Sequence, residues 1–246
     1  MGLRNYAALL AQEALPTVVA NTVVWVAVVV AVTILMSLAL AQFVNLPFPG
    51  RRLVRWALIV PWAASLIMTS KLFVWVYDYY FGILNRLLTA VGIVSRPVDW
   101  LGDDRTVMPA MIAVGVFVSL PFTTFVLLAG LASIGDEVYE AARVDGASGW
   151  RTYRSVTLPL LRPALLVAAV LNAIYVFNSF PIVWTLNDRN PGFAHDTLIT
   201  YMYKLAFKSA QRDIGLAAAL GVLNMALILV AVLVYLRTVR WREDGS

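Results

Sequence analysis

The chain has 246 residues, 61% of them hydrophobic and only 13% charged, with a mean hydropathy of +0.79. Soluble domains hold roughly 45–50% apolar and about 25% charged residues, so this composition excludes an ordinary soluble domain and points to an all-α bundle of membrane helices. The absence of cysteine excludes a disulfide scaffold and a thiolate metal site, and the single histidine, His195, leaves little for imidazole catalysis or metal ligation.

A spanning helix needs about 20 mostly apolar residues. At the N-terminus, Met1-Gly2 is not a convincing myristoylation signal, because Tyr6 stands where Ser or Thr is wanted. The first span is predicted within the charge-free run Ala14 to Gly50, at about Ala20 to Val44. The second runs from about Trp56 to Tyr77, interrupted by Lys71, and the third lies in the uncharged run Thr106 to Gly135. The fourth covers Pro163 to Leu186 and the fifth Ile214 to Leu236. These runs are too long, and alternate too little, to be barrel strands.

The net charge of +5 comes from basic residues scattered between the apolar segments, which suits topology better than nucleic acid. Arg51, Arg52 and Arg55, the loop with Arg143, Arg151, Arg154 and Arg162, and the tail with Arg237, Arg240 and Arg242 would share the cytoplasmic side. Arg86, Arg96 and Arg105, and Arg189, Lys204, Lys208 and Arg212, then lie outside, so the bias in number is slight. The N-terminus falls outside with no signal peptide before it. An additional upstream helix in the native chain is therefore expected; a five-span protein with an external N-terminus is the alternative.

The segment 132–162 is a charged, kinked island between two long apolar runs. Asp136 is predicted to cap a helix whose first turn holds Glu137, both acids lying at its positive end. Ile134, Val138 and Ala141 or Ala142 recur at helical spacing. Gly146 breaks the run, Trp150 and Tyr153 begin a second short helix, and Pro159 and Pro163 start the next span. Two short helices joined at a glycine make a knob that suits a groove on a partner. The plainer reading is an amphipathic interfacial loop, balanced at four acids and four arginines.

The spacing of this island, Glu140-Ala141-Ala142, then Asp145-Gly146, then Val156-Thr157-Leu158-Pro159, resembles the coupling loop of a carbohydrate-type ABC importer permease, the group with the maltose and glycerol-3-phosphate permeases. The likeness extends over nearly the whole chain. It includes Gly2-Leu3-Arg4-Asn5-Tyr6, Pro61-Trp62, Gly82-Ile83-Leu84-Asn85, Leu120-Pro121, Phe177-Asn178-Ser179-Phe180 and Gly215-Leu216-Ala217-Ala218-Ala219. The resemblance implies one transmembrane permease domain over 1–246, of the type I importer kind, in a bacterial inner membrane. Its coupling loop and C-terminus would be cytoplasmic, and the family's usual first helix would be missing from the five spans. Partners would be a homologous second permease, two copies of an ABC ATPase and an extracytoplasmic solute-binding protein. ATP and Mg would bind the ATPase, leaving no cofactor on this chain. Glu140, Ala141, Ala142, Asp145, Gly146, Leu158 and Pro159 would couple to that ATPase. Gly135 in place of a common proline, and Asp188-Arg189-Asn190-Pro191-Gly192 in place of Gly-Gly-Pro, are departures from the pattern.

Polar side chains in a span need partners, so they face other helices or a watery path. Ser119, Thr123 and Thr124 are such residues in the third span; Asn172, Tyr175, Asn178 and Ser179 are such residues in the fourth. By similarity to the maltose permease, Gly115, Val118, Ser119 and Phe122, with Asn172, Tyr175 and Val176, would line a sugar path; the plainer reading is that they glue helices together. Lys71 is read as snorkelling to the interface or as attracting an anionic substrate, and Asn21 and Asn224 as packing contacts.

Three other classes compete. A secondary transporter would want carboxylates or broken helix halves near the midplane, and the five predicted spans lack Asp and Glu. A membrane enzyme finds no nucleophile arrangement around His195-Asp196, which reads as a solvated loop element. A structural or assembly subunit is the third. With no Gly-x-x-x-x-Gly-Lys-Ser/Thr loop in the chain, ATP hydrolysis must reside elsewhere.

Overall fold

The computed structural model describes residues 3–188, 190, 192–208 and 213–243. Those residues are helical or lie in connecting turns. In chain order come α1 (Arg4–Leu10), α2 (Leu15–Asn45), α3 (Arg51–Ala63), α4 (Leu66–Val76), α5 (Ile83–Ala90), α6 (Val107–Ala132) and α7 (Asp136–Val144). There follow α8 (Gly149–Thr152), a π-helical turn (Tyr153–Thr157), α9 (Leu158–Phe177), α10 (Phe180–Leu186), α11 (Leu198–Tyr203), a second π-helical turn (Lys204–Lys208) and α12 (Ile214–Glu243).

Among the described residues, three uninterrupted helical stretches are long and apolar enough to cross a membrane: Leu15–Asn45, Val107–Ala132 and Gly149–Phe177. Shorter apolar helices, Leu66–Val76 and Ile214–Val230, occupy the second and fifth predicted spans. Two of the predicted spans are therefore broken where continuous helices were expected. The fourth breaks after Phe177 because Pro181, four residues on, has no N–H for the Phe177 carbonyl and its ring would strike it. Side chains fill in at the break: Asn178 Nδ2 donates to Ile174 O at 2.8 Å and Ser179 Oγ to Tyr175 O at 2.8 Å. The second breaks at the extended pair Ala64 and Ser65, just after Pro61 has removed one intrahelical donor.

The centre is α2, α6 and α9. The buried residues of α2 form one stripe, Val18, Thr22, Trp25, Val29, Thr33, Ser37, Ala41 and Val44, at steps of three and four. The rest of α2, including Val23, Leu35 and Met36, is exposed and apolar, as a lipid-facing surface would be. By contrast α6 is buried on most of its circumference. Close approach of its neighbours is set by glycine: a Cβ at Gly115 would lie 2.7 Å from the Trp25 ring, and one at Gly130 would lie 2.5 Å from Ala164 Cβ. The Trp25 indole N–H donates to Val176 O at 2.9 Å, fastening α2 to α9.

Buried clusters stack along the bundle. Ala41, Val44, Leu127, Leu131 and Leu161 lie at the end from which α7 projects, with Val54 of α3 packed against them. Trp25, Met111, Val114, Ile182 and Leu186 fill the next layer. Leu9, Val18, Leu198 and Leu220 join α1, α11 and α12 at the far end. Arg51, Arg52 and Arg55 at the start of α3 thus share an end with the island of residues 132–162, as the charge pattern anticipated.

Candidate functional site

A cavity of about 310 Å³ lies between α3, α6 and α9. α6 contributes Val118, Ser119 and Phe122, while α9 contributes Leu171, Asn172 and Tyr175, the same i, i+1, i+4 spacing on both helices. Trp62, at the end of α3, stacks on Phe122 with ring centroids 6.3 Å apart and planes 20° apart. The polar groups divide into two kinds. Thr123 Oγ1 donates to Ser119 O at 3.0 Å and Thr124 Oγ1 to Leu120 O at 2.7 Å, so their own helix satisfies them. Ser119 Oγ and Asn172 Nδ2 are buried and have no hydrogen-bond partner among the described residues. A buried donor left unmade costs about 1–3 kcal/mol. Two of them on residues that line one cavity leave hydrogen-bonding capacity that a ligand or water could take up.

Of the seven residues expected along a sugar path, five line this cavity: Val118, Ser119, Phe122, Asn172 and Tyr175. Gly115 and Val176 do not. Gly115 is covered by Trp25, and Val176 is buried with its carbonyl held by the same indole. Trp62 and Leu171 were not singled out for the path; Trp62 belongs to a different span, so no helical spacing could connect it. Lys71 lies outside as well. It is exposed and lines a separate cavity of about 250 Å³ that also holds Trp184 and Asp188.

A contrasting polar cluster sits beyond α10. The Asp196 carboxylate is 1% exposed and lies 2.7 Å from Lys204 Nζ, which also donates to Gly192 O at 2.6 Å. Asn187 Nδ2 donates to Asp196 Oδ1 at 3.2 Å, and Asn190 Nδ2 donates to Leu101 O at 3.0 Å. Asn21 Nδ2 reaches Ala194 O at 2.7 Å, and Leu198 N donates to Thr22 Oγ1 at 2.9 Å, tying the cluster to α2. Burial, and after it the charge of Asp196, pushes the Tyr201 hydroxyl above its ordinary pKa. Asp196 is therefore a buried fastener and not a solvated loop residue. Its neighbour His195 pairs instead with Asp104, at 2.9 Å. Asn21 is the packing contact expected of it. Asn224 is buried on α12 with neither amide atom hydrogen-bonded among the described residues.

At the opposite end, residues 135–157 form the knob. Gly135, not Asp136, occupies the N-cap; Asp136 and Glu137 fill the first turn of α7 and still favour its positive end. The helix closes in a Schellman motif: Ala147 N donates to Ala142 O and Gly146 N to Arg143 O, both at 3.0 Å. This requires a left-handed residue at Gly146, whose φ is +72°. Ser148 then caps α8, its Oγ accepting from Arg151 N. The π-helical turn precedes Pro159, whose ring cannot sit against the Ser155 carbonyl of a regular helix. Ala141, Ala142 and Asp145 border a cavity of about 320 Å³ between the knob's two arms. Glu140 is exposed, Leu158 half-buried, and Pro159 exposed at the root of α9. Val144 is 88% exposed and Trp150 70% exposed, leaving apolar surface at the tip.

Residues 25–242 match the family of binding-protein-dependent transport system inner membrane components. The chain belongs to that family. It is 39% identical to a probable ABC transporter permease protein of Brucella suis, over 95% of this chain and 80% of the relative. It is 34% identical to the trehalose/maltose transport system permease protein of Thermococcus litoralis, over 99% of this chain and 81% of the relative. A bacterial ABC transporter involved in import of the acidic polysaccharide alginate has a chain of the same fold, with a TM-score of 0.86 and 25% identity, covering 98% of this chain and 84% of that one. The protein is thus a membrane component of an ABC-type transport system, built as an all-helical permease.

Proposed function

We propose that residues 1–246 form a single permease domain that provides half of the path for a carbohydrate and converts ATP-driven motion of a separate ATPase into alternating access. The observation that carries this reading is the exposed knob. Its rigid Schellman turn at Gly146 and its uncovered Val144 and Trp150 form an incomplete surface on an otherwise membrane-embedded bundle. Glu140 would meet a basic residue of the ATPase, and Ala141, Ala142 and Asp145 would shape the arm around Gly146. Leu158 and Pro159 would pass the displacement into α9, which carries Asn172 and Tyr175. ATP and Mg belong to the ATPase in this account.

The partners are a homologous second permease, two ATPase copies and an extracytoplasmic solute-binding protein, in a bacterial inner membrane with the knob and C-terminus cytoplasmic. Support for the carbohydrate class comes from relatives named for trehalose/maltose, diacetylchitobiose and xylose/arabinose transport. A neighbouring structure in which an alginate transporter is complexed with an alginate-bound periplasmic protein supports the binding-protein partner. Val118, Ser119, Phe122, Asn172 and Tyr175 would contact the sugar, while Gly115 and Val176 would hold the helices that present them. Co-purification of the chain with its ATPase, abolished by Glu140→Lys or Gly146→Pro while the variant still inserts in membranes, is the expected result. Full sugar uptake by the purified chain without a nucleotide-hydrolysing companion would overturn the reading.

A further inference from the structure

We propose that the cavity between α3, α6 and α9 selects a neutral sugar ring and rejects carboxylated, sulfonated or phosphorylated sugars. The proposal rests on the carbohydrate reading above and narrows its substrate class. Among the described residues, none that lines the cavity carries a charge. α6 contains no charged residue, the one charge in α9, Arg162, lies in its first turns, well before Leu171, and the charges of α3, Arg51, Arg52 and Arg55, lie about two to three turns before Trp62 and outside the lining. Lys71, the cation that could have served an anionic substrate, lines another cavity and shares it with Asp188.

Taking an anion from water into such surroundings without a counter-charge carries a large desolvation penalty. Hydrogen bonds from the Asn172 amide and the Ser119 hydroxyl recover only part of that, since two neutral donors do not replace a full hydration shell or a counter-charge. The aromatic wall works in the same direction. The faces of Trp62 and Phe122 are the negative parts of their quadrupoles, favourable to the C–H face of a sugar and unfavourable to an anion. A volume of about 310 Å³ lies at the lower end of the ligand-pocket range, roughly 300–1,000 Å³, so the site grips one ring and not an extended chain. The alginate importer shares the fold and takes an acidic polysaccharide; the lining of this cavity argues for the opposite preference.

The test is equilibrium binding to the purified permease–ATPase complex in lipid discs, without the solute-binding protein, so that the binding protein's own selectivity is not read. The neutral probes are maltose, trehalose, diacetylchitobiose and xylose; the anionic probes are an alginate trisaccharide, sulfoquinovosyl glycerol and glucose 6-phosphate. The expected result is binding of at least one neutral probe, at least about tenfold tighter than any anionic one, and lost in Asn172→Leu. Asn172→Lys should raise the affinity for an anionic probe. Tight binding of an anionic probe that Asn172→Leu abolishes would overturn the neutral preference and leave the carbohydrate site intact, a cation from the second permease then being its source. Binding unaffected by Asn172→Leu and Ser119→Ala, or no binding of any probe, would overturn the cavity as the sugar site.

Discussion

The cluster around Asp196 and the cavity at Ser119 and Asn172 contain similar polar side chains, and the two are wired in opposite ways. At Asp196, a carboxylate, an ammonium, two amides and several carbonyls meet one another within hydrogen-bonding distance. At the cavity, the Ser119 hydroxyl and the Asn172 Nδ2 group are as deeply buried and have no hydrogen-bond partner among the described residues. Polar groups that answer one another inside a protein fix its shape, and removing one strands the other. Polar groups left unanswered weaken the fold, and where two of them line one cavity a ligand or water can complete them. The first cluster therefore belongs to the architecture, and the second is the one proposed above for recognition.

That division is broken or sharpened by substitution. The largest effect is expected from Asp196→Ala, which strands the Lys204 ammonium. The loss should be about 3–5 kcal/mol of stability, seen as a marked drop in the thermal transition of the detergent-solubilised complex. Adding Lys204→Met should recover part of it, and a single variant that melts like the parent would remove the cluster from the architecture. Gly115→Val comes next, because its side chain must displace the Trp25 ring. Overpacking of this kind costs about 1–3 kcal/mol, and the same melting experiment reads it. Gly146→Ala should cost about 1 kcal/mol from the left-handed turn, and should lower sugar-stimulated ATP hydrolysis more than it lowers the melting temperature. Ser119→Ala is the smallest loss: stability unchanged or raised, because an unpartnered buried hydroxyl is removed, with uptake reduced about 2- to 10-fold, the equivalent of one neutral hydrogen bond.

What could be read from the sequence follows the range of the forces involved. The spans were legible because hydrophobic length is a local property, and the knob because Gly146 must follow Glu140-Ala141-Ala142 at the distance that a Schellman closure demands. The break in the fourth span was legible in principle, since Pro181 forbids a continuous helix past Phe177, yet the apolar run hid it. The Asp196 cluster was not legible: Asn21 and Ala194 are separated by 173 positions, and only folding brings them together. Trp62 was hidden from the cavity for the same reason. Gly115 and Val176 were placed on the path by similarity to the maltose permease, and nothing in the sequence says that Trp25 packs against both.

Asn172→Leu tests the account most directly, with melting temperature and sugar uptake measured on one preparation of the complete importer. The substitution keeps the branched shape and removes a buried donor that has no partner among the described residues. Melting should stay unchanged or rise, while uptake falls by about tenfold or more. Unchanged uptake, or a fall in melting that matches the fall in uptake, would contradict the assignment of this cavity to the sugar.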